Sequence, residues 1–168
     1  MEYKLDIKHQ LRSFRECWVT LGWTMAPLIV GPLIIKEMDY GTMFVICLLI
    51  WLITSVGMTL PFHLNYLLAN WKTRLIVDNT SKTIRVIESG NSSEYNFSDI
   101  QVTRYIGGHY RPDRTKSWMA IPFDYYGYLK ITTIDNKEIY LTSLMLDPFK
   151  PPLQVNKTEY GFTIIWKR

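Results

Sequence analysis

One uncharged apolar stretch limits what this chain can fold into. The segment from Tyr40 to Trp71 contains no Asp, Glu, Lys or Arg, and Thr42 to Leu60 is almost entirely Phe, Val, Ile, Leu, Trp and Met. A helix rises about 1.5 Å per residue, so roughly 20 such residues cross a hydrocarbon layer about 30 Å thick. The alternative is the core helix of a soluble protein, but such helices seldom extend this far without a charge. The pattern therefore predicts a transmembrane helix.

A second apolar block precedes this stretch, from Trp18 to Ile35, and it also lacks charge. Pro27 and Pro32 interrupt the block, and each proline removes one helical N–H donor. Membrane helices tolerate proline because neighbouring groups satisfy the freed carbonyls. The block predicts a kinked first span, with a half-spanning re-entrant segment as the alternative. Together the two blocks predict a transmembrane hairpin over residues 17–71.

The charges around the two blocks predict how the hairpin is oriented. Residues 1–16 are predicted to form a short amphipathic helix at the cytoplasmic membrane surface with four basic residues, and Lys72 and Arg74 follow the second block. The connection from Lys36 to Gly41 holds one basic and two acidic residues. Because Lys and Arg favour the cytoplasmic side, we expect a multi-pass protein with both termini in the cytoplasm. The net charge of +4 is too small to predict a duplex nucleic acid partner.

From Thr73 onwards the apolar spacing changes from helical to strand-like. Six or seven alternating segments occur in residues 72–168, separated by turn residues. A change of parity at Ser98–Asp99 predicts a bulge or corner there. Leu129 and Ile131 match Ile139 and Leu141 as inward residues of two neighbouring strands. Because small antiparallel sheets must hide their edges, the pattern predicts a cytoplasmic β-barrel of six to eight strands. The predicted fold is thus a membrane α-helical hairpin followed by an all-β domain.

The sequence contains none of the short motifs that indicate catalysis. The nucleophile motif GxSxG, the phosphate loop GxxxxGK[ST], the zinc motif HExxH and the dinucleotide motif GxGxxG are all missing. The three histidines, His9, His63 and His109, lie in different segments. We therefore expect neither an enzyme nor a metal site, and the sequence predicts no cofactor.

One group of basic and aromatic residues stands out, in and beside the long segment Gly107–Tyr126. Guanidinium groups match phosphate oxygens, and aromatic faces stack on bases. The group predicts a site for a nucleotide or another anionic ligand. Contact with anionic lipid headgroups, a solvated surface and a protein partner remain as alternatives. The predicted site residues are Arg104, Tyr105, His109, Tyr110, Arg111, Arg114, Lys116 and Trp118.

In its architecture the whole chain resembles a class of bacterial anti-phage effectors. The resemblance rests on two apolar helices, WVTLGWTMAPLIVGPLII and TMFVICLLIWLITSVGMTL, before a strand set that ends GFTIIWKR. It is to the two-helix, β-barrel membrane effectors of cyclic-nucleotide (CBASS) defence, without a shared short motif. The resemblance implies a bacterial inner-membrane protein whose barrel binds a cyclic nucleotide. Binding would then promote a homo-oligomer whose helices disrupt the lipid bilayer.

A second resemblance is to bacterial membrane-anchored pleckstrin-homology-like domains. It is carried by TRLIVDNTSKTIRVIE, by YNFSDIQV with Phe97, Asp99 and Ile100, and by YLKITTIDNKEIYLTSL. Such domains normally end with a helix, whereas this chain ends with the strand-like TEYGFTIIWKR. This resemblance implies a membrane-tethered scaffold that binds lipid headgroups or a protein partner.

Overall fold

The computed structural model describes residues 1–34, 39–107, 126–161 and 163–165. A π-helical segment, Leu52–Gly57, joins the second described α-helix to the third, so that Tyr40–Asn70 is one continuous helical run. The side chain of Asp39 caps this run by accepting the N–H of Gly41. The α-helices are α1 (Ile7–Ile34), α2 (Tyr40–Trp51) and α3 (Met58–Asn70).

Among the described residues, one helix, Tyr40–Asn70, is long and apolar enough to cross a membrane. Only 17% of its most apolar 18-residue window is buried, whereas the core helix of a soluble protein is mostly covered. The apolar part of α1, Cys17–Gly31, is shorter than a usual span. The predicted hairpin of two transmembrane helices is therefore not confirmed, although α1 and α2 do pack together.

The chain begins with a strand, where the sequence predicted a helix from the first residue. Strand β1 (Glu2–Tyr3) pairs antiparallel with the strand that follows α3, with Tyr3 opposite Leu75. The N-terminal ammonium group donates to the carbonyl of Val77 at 2.6 Å. The segment is extended because Tyr3 and Leu5 pack against the core of the β domain. The helix starts only at Ile7.

Seven further strands follow Lys72 in the described residues, within the predicted range of six to eight. A 3-10 turn, Phe97–Asp99, separates the fourth strand from the fifth and confirms the predicted corner. The strands are β2 (Thr73–Asp78), β3 (Thr83–Glu88), β4 (Asn91–Asn96), β5 (Ile100–Gly107), β6 (Tyr128–Thr133), β7 (Glu138–Thr142) and β8 (Lys157–Gly161).

The strands form two four-stranded sheets that do not close on one another, so the predicted antiparallel β-barrel is confirmed only as an all-β domain. Sheet A has the order β1-β2-β3-β4, and sheet B has the order β7-β6-β5-β8. Strand β5 pairs with β6 on one edge and with β8 on the other, so it has no edge left for β4. Sheet B is mixed because β8 runs parallel to β5.

The hydrophobic core lies between the two sheets. Leu129 is paired with Leu141 and Ile131 with Ile139, and all four side chains are fully buried. This confirms the predicted inward positions. Sheet A supplies the facing side chains, which are Leu75, Val77, Ile84 and Val86.

Helix α3 packs against the other face of sheet B. Phe62 and Tyr66 of the helix form a second apolar cluster with Tyr126 and Tyr128. The β domain therefore has three layers, which are sheet A, sheet B and α3. The candidate membrane helix thus continues directly into the body of the domain.

Candidate functional site

Two asparagine side chains of α3 each donate a hydrogen bond to a backbone carbonyl and accept one from a backbone N–H group. The amide of Asn70 donates to the carbonyl of Tyr140 at 2.6 Å and accepts the N–H of Thr142 at 2.9 Å. The amide of Asn65 donates to the carbonyl of Ile165 at 3.1 Å and accepts its N–H at 3.0 Å. The Asn70 bonds attach α3 to β7 of sheet B, and the Asn65 bonds attach it to Ile165, beyond β8.

A cleft of about 490 Å³ opens where α3 ends. Three separate parts of the chain build it, namely the N-terminal segment, the connection from α3 to β2, and the turn from β3 to β4. The N–H of Ser89 donates to the carbonyl of Lys72 at 3.2 Å, which ties the turn to the connection. The lining residues are Lys4, Leu5, Asn70, Trp71, Lys72, Thr73, Arg74, Ile87, Ser89 and Gly90.

The cleft is electropositive. Lys4, Lys72 and Arg74 line it, all three are exposed, and no carboxylate lines it with them. None of the three forms an ion pair with a residue in the described part of the chain. The carboxylate of Glu88, beside the cleft wall, is already paired with Lys137 at 3.3 Å. Ammonium and guanidinium groups arranged in this way can bind a phosphate group.

The turn at the rim of the cleft requires left-handed backbone. Ser89 has φ of 51° and Gly90 has φ of 93°. Glycine adopts this conformation readily because it has no Cβ, and no atom lies within 4 Å of the place where a Cβ would be. The turn therefore depends on glycine for its backbone conformation and not for close packing. Sequence reasoning missed this site, since it used Lys72 and Arg74 only as markers of the cytoplasmic side.

The structure describes two of the eight predicted ligand-binding residues. Arg104 and Tyr105 lie in β5, and because successive residues of a strand face opposite sides, they cannot act together. Arg104 donates to the hydroxyl of Thr158 at 3.2 Å, whereas Tyr105 stacks on Tyr128 at 4.7 Å between ring centroids. Neither lines the basic cleft. The other six lie outside the described residues and stay a prediction: His109, Tyr110, Arg111, Arg114, Lys116 and Trp118.

Three tyrosines on the α3 side of sheet B have raised pKa values. Burial raises the pKa of Tyr128 to about 12, with the Tyr105 hydroxyl and two carboxylates adding to the effect. Burial also raises the pKa of Tyr140, and its hydrogen bond to Glu138 raises it further. Burial, followed by the charge of Glu159, raises the pKa of Tyr105. These hydroxyls are neutral at pH 7 and offer polar, uncharged surface.

The raised pKa of Tyr128 predicts a loss of stability in alkali. An unfolded tyrosine titrates near 10, so the unfolded chain releases this proton first as the pH rises. The contribution of Tyr128 to the free energy of unfolding is complete below pH 10 and is lost between about pH 10 and 12, with a total of about 3 kcal/mol. Denaturant unfolding of the full chain across that range should show it. Tyr128→Phe should give a shallower decline, and equal slopes for both proteins would contradict the assignment.

The comparisons with known proteins agree with this architecture. A family model described as a PH domain matches residues 2–151. Neither the curated proteins nor the solved structures gave a match. The matched region begins at β1 and runs past β7, so it includes the helices between β1 and β2. The match supports the pleckstrin-homology-like resemblance and does not support the resemblance to cyclic-nucleotide effectors.

Proposed function

The chain belongs to the PH domain family, and we propose that it is a membrane-anchored, non-catalytic scaffold whose basic cleft binds anionic lipid headgroups. PH domains commonly bind lipids or proteins. The observation that carries the proposal is the position of the cleft. Lys72 and Arg74 follow directly after the end of the candidate membrane helix at Asn70.

The chemistry of the cleft favours a lipid headgroup over a protein surface. Its three cations form no ion pair with any described residue, and a basic residue near an anionic membrane surface contributes about 1 kcal/mol to binding. Exposed Trp71 stands at its edge, and tryptophan is enriched where a membrane meets water. The proposal places the protein in a bacterial inner membrane, with the β domain and both termini on the cytoplasmic side.

The test compares anionic and zwitterionic lipids on the full chain in detergent. Short-chain phosphatidylglycerol is titrated against phosphatidylcholine, and binding is followed by native mass spectrometry. We expect preferential binding of phosphatidylglycerol. Lys72→Ala/Arg74→Ala should weaken it about 30-fold, since the two lost charges contribute about 2 kcal/mol.

The matched control removes the same charge elsewhere. Arg85→Ala/Lys150→Ala also deletes two positive charges, at exposed positions that do not line the cleft. It should keep nearly all of the lipid preference. An equal loss in both double variants would mean that net charge alone attracts the lipid, and the proposed site would be wrong. No preference for phosphatidylglycerol in the unaltered protein would also contradict the proposal.

Cyclic-nucleotide sensing, homo-oligomerisation and disruption of the inner membrane stay predictions of the first resemblance. No contact among the described residues supports them over lipid binding. A thermal shift caused by one cyclic nucleotide, and not by phosphatidylglycerol, would favour that effector instead.

A further inference from the structure

Helix α3 carries an exposed apolar face that nothing in the described chain covers. Leu60, Leu64, Leu68 and Trp71 are 44%, 46%, 74% and 63% exposed. Spacings of four, four and three residues place them along one side of the helix. Contiguous exposed apolar surface of this kind marks a surface that contacts another apolar phase.

The face cannot turn inwards, because the opposite side of α3 is attached to sheet B. Phe62 and Tyr66 are buried there, Asn70 makes two hydrogen bonds to β7, and Asn65 makes two to the backbone of Ile165. Whatever covers the leucines must therefore come from outside the described chain. The candidates are lipid, a second copy of this chain, and the residues of this chain outside the described ranges.

The length of the face decides how it can meet a bilayer. It spans twelve residues from Leu60 to Trp71, a rise of about 16 Å over eleven steps. The interfacial layer on each side of the hydrocarbon is only about 5–8 Å thick. An upright helix would hold Leu68 and Trp71 in water. A helix inclined to the membrane normal would keep all four side chains in lipid.

The sequence of side chains along the helix favours the bilayer over a second copy. Leucines come first, then Trp71, and then Lys72 and Arg74 of the cleft. Hydrocarbon, interface and phosphate follow one another in the same order in a membrane leaflet. A symmetric pair of chains would instead bring two electropositive clefts towards each other. Helices commonly bend at π-helical segments and at proline. The π-helical segment Leu52–Gly57 and Pro61 both lie between α2 and most of this face, so α3 can incline relative to α2.

We propose that α3 lies inclined against the inner surface of the bilayer, with Leu60, Leu64, Leu68 and Trp71 in lipid. The inference rests on the proposed membrane anchorage. In this arrangement α3 is packed between sheet B and the membrane, and the basic cleft reaches the phosphate layer directly.

The test uses nitroxide labels on the full chain in phosphatidylglycerol–phosphatidylcholine vesicles. The buried cysteines are removed as Cys17→Ala/Cys47→Ala, and one label is placed at Leu68→Cys. Ile53→Cys reports on the candidate span, where the native side chain is 70% exposed. Ile134→Cys reports on the turn after β6, where it is 79% exposed. Power saturation then compares collisions with oxygen, which enters lipid, and with a water-soluble nickel chelate.

We expect the ratio of oxygen to nickel collisions at positions 68 and 53 to exceed that at 134 by several-fold. A water-like ratio at 68 with a lipid-like ratio at 53 would overturn the inclined helix and leave the anchorage intact. A water-like ratio at 53 would overturn the anchorage itself. Protection of position 68 from both reagents would show that protein covers the face and would also overturn the inference; spin–spin broadening would identify that protein as a second copy, and its absence would indicate another part of the same chain.

Discussion

Asn70→Ala is expected to lower the free energy of unfolding by about 3 kcal/mol. Asn70 is fully buried, and its amide satisfies the carbonyl of Tyr140 and the N–H of Thr142. Alanine would remove the side chain that satisfies both backbone groups at this fully buried position. Each unsatisfied buried group costs about 1–3 kcal/mol. Chemical denaturation of the full chain in detergent, followed by circular dichroism of the strands, measures the loss.

Two controls make this result specific. Asn65→Ala removes a similar pair of hydrogen bonds from a partly buried position, where water can replace them, so we expect a loss of about 1 kcal/mol. Asn91→Ala changes an exposed strand residue and should have almost no effect. If Asn70→Ala lost no more than Asn91→Ala, the attachment of α3 to sheet B would not depend on this amide.

Leu129→Ala is expected to lower the free energy of unfolding by about 3–4 kcal/mol. Leu129 lies on the inner strand β6, is fully buried and contributes to the core between the two sheets. Truncation removes apolar burial and leaves a cavity, and such changes typically cost about 2–5 kcal/mol. The denaturation midpoint should fall while the dependence on denaturant stays the same.

The matched control for this core substitution is Ile134→Ala, just beyond the same strand. Ile134 has a side chain of equal size but is 79% exposed, so its truncation should cost less than about 0.5 kcal/mol. Equal losses at the two positions would mean that the cost at Leu129 does not come from its burial in the core. A changed denaturant dependence would instead indicate that the unfolded state had been altered.

Local features of the β domain could be predicted from the sequence because they depend on neighbouring residues. The bounds of β2 and β3 agree with the predicted segments TRLIVD and TIRVIE. Both are alternating runs joined by a short polar turn, which is a strong local signal. The corner at Phe97–Asp99 was visible as a change of parity, for the same reason.

Pairing between distant strands could not be predicted in this way. Whether β5 accepts β4 or β8 on its second edge depends on the three-dimensional path of the chain, and alternation looks the same in either case. The basic cleft is equally non-local, since its cations come from position 4 and from positions 72 and 74. No spacing in the sequence links them. The predicted loop site, by contrast, lies mostly outside the described residues and stays a prediction.

The pairing of β1 with β2 has a consequence for how many times the chain crosses a bilayer. Tyr3 and Leu75 are strand partners, so the two ends of the intervening segment lie on one side of any membrane. A segment whose ends share a side must cross an even number of times. If Tyr40–Asn70 crosses once, the chain must therefore return through α1, although its apolar part is short. A short crossing of that kind is accommodated by local thinning of the bilayer around it. The pairing of this two-residue strand with β2 thus requires that the segment between them cross a membrane an even number of times.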